Sequence, residues 1–176
     1  MWLSEGDKMD GIKILNMDYD QRLSQLENEH SSLRFETFNS DMAITIGLRL
    51  LERAKEENLS ITIDICMGKQ QLFHCALEGT NEENDRWVIR KNRVALKFQK
   101  SSYYISLLLK SNNTTIEEHY HLDSQDYAAY GGAYPIMDME GKALGTITVS
   151  GLPDHEDHRV VTDAIKWFLN KKDEVA

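Results

Sequence analysis

Apolar residues that recur every three or four positions predict most of the helices in this chain. The strongest stripe, from Ala43 to Ala54, predicts a helix over residues 41–57 with Ser40 as its N-cap. Weaker or shorter stripes predict further helices over residues 17–29, 84–100 and 103–110, and a last helix that is capped by Asp154. The range 103–110 also suits a strand, but the serine pair before it can cap a helix and favours that alternative.

Alternation between apolar and polar residues over Leu59–Leu77 predicts a β-hairpin. Its register follows from matching the apolar faces of the two strands. A three-residue loop, residues 68–70, pairs Ile65 with Phe73 and places the apolar side chains of both strands on one buried face. A two-residue loop would mix the faces, so we expect the three-residue loop.

The same register positions four side chains that could carry chemistry. Asp64 lies opposite His74, where the two form a structural cross-strand pair or a general base, and the structural pair is the simpler interpretation. Cys66 and Cys75 fall on opposite faces, so we expect two free thiols. Because the chain has no C-x-x-C sequence, we predict no structural zinc site and no thiol redox site. His119 and His121 alternate, but the simpler interpretation is that they are solvated loop histidines, so we predict no other metal site.

The sequence of residues 126–158 predicts a glycine-flanked hairpin around which the rest of the chain is organised. They combine a helical turn, Gly131-Gly132, a strand, a tight turn, a second strand, Gly151 and the start of a helix. In an antiparallel hairpin the two glycine breaks lie side by side, and glycine lets a ligand or another backbone approach closely. We therefore expect a binding site or a tight subunit contact at this place.

The order of these elements predicts an α+β fold in which an antiparallel sheet, built from two hairpins, is covered by helices. Residues 33–176 are expected to form this single domain. Residues 1–32 precede it as a segment with a weak helix. A chain of 176 residues is long enough for one sizeable core.

Charge and hydropathy restrict the partners and the location of the protein. The formal net charge of -9 disfavours nucleic acid and anionic membranes. No apolar run approaches the roughly 20 residues of a membrane span. The first residues lack the basic and apolar regions of a secretory signal, so we expect a cytoplasmic protein.

Five cations recur at spacings of four, three, four and three along the helix predicted over residues 84–100, so they stack on one face. Like charges at these spacings repel, and the sequence offers them no obvious local partner. The face is either solvated or a site for a carboxylate, a phosphate or the acidic face of another subunit. The five are Arg86, Arg90, Arg93, Lys97 and Lys100.

The second hairpin carries the pattern GG-x-x-P-I-x-D-x-x-G-x-x-x-G-x-x-x-V-S-G-x-x-x-x-x-D from Gly131 to Asp157. This pattern resembles the haem-degrading-domain superfamily, the GlcG/HbpS-like proteins. Together with the upstream residues 84–104, it is similar to a cytoplasmic branch of small uncharacterised proteins in that superfamily. The resemblance covers about residues 40–169.

The resemblance implies a profilin-like sandwich that assembles into dimers and then into rings of dimers, with a pocket at the glycine ends of the second hairpin. Some relatives are linked to haem binding or breakdown, so haem is the cofactor that the resemblance suggests, by analogy of fold alone. His155 and His158 are then the candidate axial ligands. The chain departs from haem-sensing members because it lacks a secretory signal and carries Tyr134 before Pro135.

The leading hypothesis is an oligomeric protein that binds a small anionic metabolite near the junction of the V-S-G sequence and the last helix. The start of that helix offers free N–H groups, and a histidine there can titrate near neutral pH. The alternatives are an oligomeric scaffold without a ligand, in which Gly132 and Gly145 let subunits pack, and haem binding or degradation. No catalytic residue is assigned. The residues predicted to bind the ligand are Arg90, Arg93, Lys97, Gly131, Gly132, Ser150, Gly151, Asp157 and His158.

Overall fold

The computed structural model describes the backbone of residues 5–175 and the side chains of residues 18–171. Over this range the helices are α1 (Glu5–Ser32), α2 (Ser40–Glu56), α3 (Glu82–Phe98), α4 (Ser102–Ser111), α5 (Ile116–Tyr120) and α6 (Asp154–Val175). The strands are β1 (Thr62–Met67), β2 (Gln70–Ala76), β3 (Ala133–Met137) and β4 (Ala143–Ser150). None of the described helices is both long enough and apolar enough to cross a membrane.

The strands form one antiparallel sheet in the order β2-β1-β4-β3, so the two predicted hairpins join through β1 and β4. In that pairing Ile63 lies opposite Val149 and Ile65 opposite Ile147. These side chains point to one face of the sheet, where α2 and α6 cover them and complete the main core. The predicted α+β fold, an antiparallel sheet of two hairpins covered by helices, is confirmed.

The opposite face of the sheet is polar, although it is buried beneath α3. Asp64 is 2% exposed there, and Thr146 and Thr148 are 0% exposed. Asn92 of α3 links the two layers, because its amide nitrogen donates to Asp64 Oδ2 at 3.1 Å and its amide oxygen accepts from the Thr148 hydroxyl. The hydrogen bonds to Asn92 offset part of the cost of burying polar side chains on this face.

The first hairpin keeps the predicted register over most of its length and departs from it at the turn. Ile65 pairs with Phe73, as the matching of faces predicts. Beyond Ile65 the register shifts at a β-bulge, so that Met67 pairs with Gln70. The loop therefore has two residues, 68 and 69, and the predicted three-residue loop was wrong. The bulge supplies the extra residue that lets a tight turn and matched faces coexist.

The helices begin where side chains satisfy their first N–H groups. Asn39, and not the predicted Ser40, caps α2, because its side chain accepts a backbone N–H of the first turn at 3.0 Å. Helix α3 begins at Glu82 and not at residue 84, because Asn81 and Asn84 form a capping box. Both corrections concern asparagines, which compete well with serine as N-caps.

The sequence predicted that Asp154 caps α6, but in the structure it does not. Its carboxylate accepts hydrogen bonds from Ser106 Oγ at 3.1 Å and from Lys110 Nζ at 3.2 Å, both on α4. The first turn is closed by the Pro153 carbonyl oxygen, which accepts from the Asp157 N–H at 3.0 Å. The tertiary contact with α4 therefore takes the carboxylate that local capping would use.

Helix α1 is longer than the weak helix predicted over residues 17–29. Its described apolar side chains, including Leu26, pack on α4 around Tyr103. The chain then runs in an extended connector, where the Phe35 N–H donates to the Met137 carbonyl oxygen at 2.8 Å on the outer side of β3. The connector makes a single bridge to β3, between Arg34 and Met137.

Candidate functional site

The two glycine breaks lie side by side, as the hairpin predicts. The Val149 N–H donates to the Gly132 carbonyl oxygen at 3.1 Å, next to the open end of the hairpin. Gly132 has a φ of 130°, a conformation that favours glycine. A Cβ on Gly131 would lie 2.0 Å from the Asp154 carbonyl oxygen, so this turn packs directly on the start of α6.

The space beside the other two glycines is filled by backbone of the same chain. Gly151 has a φ of 152°, and a Cβ there would lie 2.2 Å from the Ser60 carbonyl oxygen. A Cβ on Gly145 would lie 1.9 Å from the Cys66 carbonyl oxygen, because β4 approaches β1 closely at this point. Packing within one chain therefore accounts for both glycines, without a ligand at Gly151 or a subunit contact at Gly145.

The N–H groups that the sequence assigns to an anionic ligand bind the chain's own carboxylate. Asp157 Oδ1 accepts from the Leu152 N–H at 3.0 Å, and Oδ2 accepts from the Gly151 N–H at 3.4 Å. Oδ2 also accepts from Lys91 Nζ at 2.9 Å, and both side chains of this ion pair are buried. Burial raises the pKa of Asp157, and the Lys91 ammonium opposes that rise. The turn after β4 is thus closed by an internal ion pair.

Lys91 is the member of this pair that the sequence pattern did not predict. It lies one helical turn after Trp87 and one before Val94, so it falls on the apolar stripe of α3 and away from the five cations. A lysine on an apolar stripe is itself a signal, because a buried ammonium needs an acidic partner. The sequence alone does not identify which carboxylate that partner is.

His158 faces α1 and not the glycine turn. Its Nε2 lies 2.8 Å from Glu29 Oε1, and its side chain is 3% exposed. Lys166 Nζ donates to the other oxygen of Glu29 at 2.9 Å. Burial acts to raise the pKa of Glu29, but His158 and Lys166 lower it to about 2. His155, by contrast, is 64% exposed, so the two candidate haem ligands do not converge on one site.

All five cations of the predicted stripe have partners in the structure, but only Arg86, which pairs with Glu83, has a partner that is local in the sequence. Arg93 pairs with Asp126, and Arg90 donates through Nε and Nη2 to the Ser124 carbonyl oxygen. The other partners are Glu83 for Arg86, the Tyr127 ring for Lys97 and Glu27 for Lys100. Several of these partners come from residues 124–127, a polar stretch whose position the sequence pattern does not predict.

Two cavities border this face and share a wall that contains Arg90 and Ser124. The first has a volume of about 350 Å³, and its lining includes three arginines, Arg86, Arg90 and Arg93, and the Glu83 carboxylate that pairs with Arg86. The second has a volume of about 420 Å³, and its lining includes Trp87, Lys110, Tyr127 and Tyr130. The guanidinium carbon of Arg90 lies 4.5 Å from the centre of the Trp87 ring. We name the two cavities together the Arg90 groove.

The Arg90 groove lies beside the junction of β4 and α6, although it does not use the N–H groups there. Lys110 lines the groove and donates to Asp154, the first residue of α6. Of the nine residues predicted to bind a ligand, Arg90 and Arg93 line the groove. The others are placed elsewhere: Gly131, Gly132, Ser150, Gly151 and Asp157 at the closed turn, His158 against α1, and Lys97 on the Tyr127 ring.

The Asp64–His74 pair belongs to the polar layer under α3. His74 Nδ1 lies 3.4 Å from Asp64 Oδ1, and its Nε2 lies 3.4 Å from Asp85 Oδ1. Asp64 also accepts from the Gln71 amide and, at 3.2 Å, from the Cys66 thiol. These bonds favour the structural interpretation of the pair. Within the described part of the chain, no three His, Cys, Asp or Glu side chains are grouped to hold a metal ion.

Comparison with known proteins agrees with this fold. Residues 38–166 match the model of the family described as haem degrading protein HbpS-like. A UPF0303 protein of Edwardsiella ictaluri is 41% identical over 87% of this chain and 98% of that protein. The crystal structure of Ybr137w protein superposes with a TM-score of 0.79 and 30% identity, over 85% of this chain and 88% of that one. A PduOC:heme complex superposes with a TM-score of 0.62 over 74% of this chain and 94% of that one, and at 14% identity it shows a shared fold. The chain belongs to the HbpS-like family, which confirms the resemblance carried by its glycine hairpin.

Proposed function

We propose that this member of the HbpS-like family binds a small anionic metabolite in the Arg90 groove. The observation that carries the proposal is Arg90, whose guanidinium lies over the Trp87 ring in the wall shared by both cavities. Nε and Nη2 are used by Ser124, while Nη1 has no acceptor among the described residues. A planar, permanently charged group held by stacking suits a carboxylate or a phosphate.

The two halves of the groove differ in chemistry, which supports a ligand with two parts. The half with three arginines suits an anionic group. The half with Trp87, Tyr127 and Tyr130 suits a flat or apolar group that stacks on aromatic rings. Both volumes fall within the roughly 300–1,000 Å³ that small-molecule sites occupy. We therefore expect an aromatic or partly apolar carboxylate or phosphate.

Haem, which the family description names, is a second candidate that the geometry of the groove supports less well. The described lining of the groove contains no histidine. His158 is bound to Glu29, and His155 is exposed on α6. The residues present therefore do not provide histidine ligation of haem iron at this place, and we favour a smaller anion.

Isothermal titration calorimetry tests the proposal with benzoate, phenyl phosphate and inorganic phosphate as probes. We expect millimolar or tighter binding of the aromatic anions, and at least about tenfold weaker binding by the Arg90→Gln variant, because a charge-assisted hydrogen bond is lost. Lys97→Gln is the matched control, since Lys97 is an exposed cation of the same helix outside the two cavities. Binding that is unchanged in Arg90→Gln, or no binding by any probe at millimolar concentration, would refute the proposal. A haem titration followed by its Soret absorption is the second arm, and tight haem binding that Arg90→Gln abolishes would favour haem.

Oligomerisation is a separate proposal, which an exposed apolar pair on α2 supports. Ile44 is 44% exposed and Leu48, one turn later, is 53% exposed. We propose that this pair contributes to contact between copies of the chain, including the dimers and rings that the resemblance implies. Sedimentation of an Ile44→Ser, Leu48→Ser variant should give a smaller species than the wild type, and a monomeric wild type would contradict the proposal.

A further inference from the structure

Helix α1 contacts the rest of the protein through a buried histidine that fits in one protonation state. His30 is 5% exposed, and its Nε2 accepts the backbone N–H of Ser101 at 3.0 Å. A nitrogen that accepts a hydrogen bond carries no proton, so the docked ring is neutral and has its proton on Nδ1. A protonated His30 ring has no acceptor nitrogen, so its Nε2–H group would face the Ser101 N–H group.

The Ser101 N–H cannot easily move away from such a ring, because it lies at a fixed point of the fold. The Ser101 hydroxyl caps α4 by accepting from the Tyr104 N–H at 3.2 Å. The neighbouring hydroxyl of Ser102 accepts from the Ala133 N–H of β3 at 3.0 Å. A charged His30 is therefore accommodated by moving α1, and not by moving the start of α4.

Groups from every element around His30 face its ring. Two of its ring contacts are with Tyr104 and Tyr134, whose ring centroids lie 5.7 Å and 5.4 Å away. His30 Nδ1 and the Tyr134 hydroxyl are buried without hydrogen-bond partners among the described residues. The charged and titratable groups nearby are Glu27 and Glu29 on α1, Lys100 after α3, Tyr104 on α4, Tyr134 on β3 and His158 on α6. Both nearby carboxylates are already paired, Glu27 with Lys100 and Glu29 with His158 and Lys166, and His30 Nδ1 has no acceptor among the described residues.

We propose that His30 makes α1 a pH-sensitive latch, in which the helix is docked while the imidazole is neutral and is released when the imidazole is protonated. The proposal concerns the contact of α1 with α4. It holds whatever the Arg90 groove binds, because His30 does not line either cavity.

The direction of the pH dependence follows from the two states of His30. Burial, and after it the Lys100 ammonium, lower the pKa of the docked ring from 6.5 to about 4, against the opposing effect of Glu27. The released ring takes up its proton near its ordinary pKa, so docking is constant above that pH and weakens as the pH falls toward 4. Between pH 7.5 and pH 5.0 the docking constant should fall about thirtyfold.

The neighbouring ion pair does not reverse this direction. The pKa of Glu29 is lowered to about 2, by His158 and Lys166 against the effect of burial, so its carboxylate stays ionised through this range. His158 can donate to Glu29 whether its ring is neutral or charged, so this hydrogen bond does not require a change of protonation. A variant in which residue 30 cannot be protonated should therefore keep α1 docked at low pH.

Amide hydrogen exchange on the full chain tests the latch, with protection factors normalised to the intrinsic rate at each pH. In the wild type we expect the protection of residues 18–32 to fall about thirtyfold from pH 7.5 to pH 5.0. The strands β1 and β4 should keep their protection, which separates release of α1 from global unfolding. Equal protection of α1 at the two pH values would overturn the proposal.

A substitution identifies His30 as the titrating group. The His30→Gln variant offers an amide oxygen near the position of Nε2 that does not take up a proton, so α1 should stay protected at both pH values. His155→Gln is the matched control, because His155 is an exposed histidine of α6, and this variant should release α1 like the wild type. Release at low pH in both variants would overturn the assignment to His30. If His30→Gln does not fold, NMR titration of the wild type replaces it. The assignment to His30 would then be overturned if the His30 imidazole titrates near its ordinary pKa while α1 stays protected.

Discussion

Lys91 Nζ and Asp157 Oδ2 lie 2.9 Å apart, and their side chains are 6% and 1% exposed. The pair joins α3 to the first turn of α6 and also holds the Gly151 and Leu152 N–H groups through the same carboxylate. It occupies the place where the sequence suggests an external anion. The chain thus supplies its own carboxylate to the turn, and the candidate ligand site lies in the neighbouring Arg90 groove.

Removing one member of this pair should strongly destabilise the fold. Lys91→Met leaves Asp157 buried without its cation, and we expect the free energy of unfolding to fall by about 3–5 kcal/mol. Urea denaturation at pH 7 measures the change. Adding Asp157→Asn should recover part of the loss, because the buried charge is then gone. Lys97→Met, at an exposed position of α3, should change the same free energy by less than about 0.5 kcal/mol.

Gly151→Ala should destabilise the protein whether or not a ligand binds. The new Cβ would lie 2.2 Å from the Ser60 carbonyl oxygen, and the φ of 152° strains any L side chain. We expect a loss of about 1–3 kcal/mol or more in the free energy of unfolding. Gly68→Asn is the control, because a Cβ there meets no atom within 4 Å and asparagine tolerates its φ of 56°. If Gly151→Ala is as stable as the wild type, then residue 151 does not lie against the Ser60 carbonyl oxygen, and the prediction fails.

The two cysteines should be free thiols, with Cys66 reacting more slowly than its exposure alone suggests. Both are unpaired in the structure. Burial and the Asp64 carboxylate raise the pKa of the Cys66 thiol to about 12, which leaves little thiolate at pH 8. Alkylation rates of the Cys75→Ser variant, which keeps Cys66, measure this directly. Rapid alkylation of that variant in the native state, or fewer than two thiols in the unfolded wild type without reductant, would contradict the prediction.

The contribution of Glu29 to stability should disappear in acid. Burial acts to raise its pKa, while His158 and Lys166 lower it to about 2 from 4.5. The lowered pKa means that the stabilisation is complete above 4.5 and is lost as the pH falls toward 2. Glu29→Gln should therefore cost about 1–2 kcal/mol at pH 7, allowing for solvent screening, and much less at pH 2.5. Glu36→Gln, at an exposed glutamate in the connector after α1, is the matched control in urea denaturation and should change the free energy of unfolding at pH 7 by less than about 0.5 kcal/mol.

Local features of the fold could be read from the sequence because they depend on near neighbours in the chain. Apolar spacing predicted α2, α3 and α4, and face matching predicted that Ile65 pairs with Phe73. The two glycine breaks were expected side by side because a hairpin brings its strand ends together, and they are. The family followed from the glycine pattern of the same hairpin. Helical periodicity and strand alternation are set within about seven residues. The N-cap of α2 and the loop of the first hairpin are also local, but they were predicted wrongly.

The partners of the charged and titratable side chains depended on the tertiary structure. Lys91 contacts Asp157, 66 residues away in the sequence; His30 contacts Ser101, 71 residues away; and His158 contacts Glu29, 129 residues away. These contacts exist because β1 lies beside β4 in the sheet and because α1 packs across α4. Periodicity says which face of an element is buried, but not which element covers it. The sequence therefore placed Arg90 and Arg93 on one helical face, and only the packing of residues 124–130 against that face made it a groove.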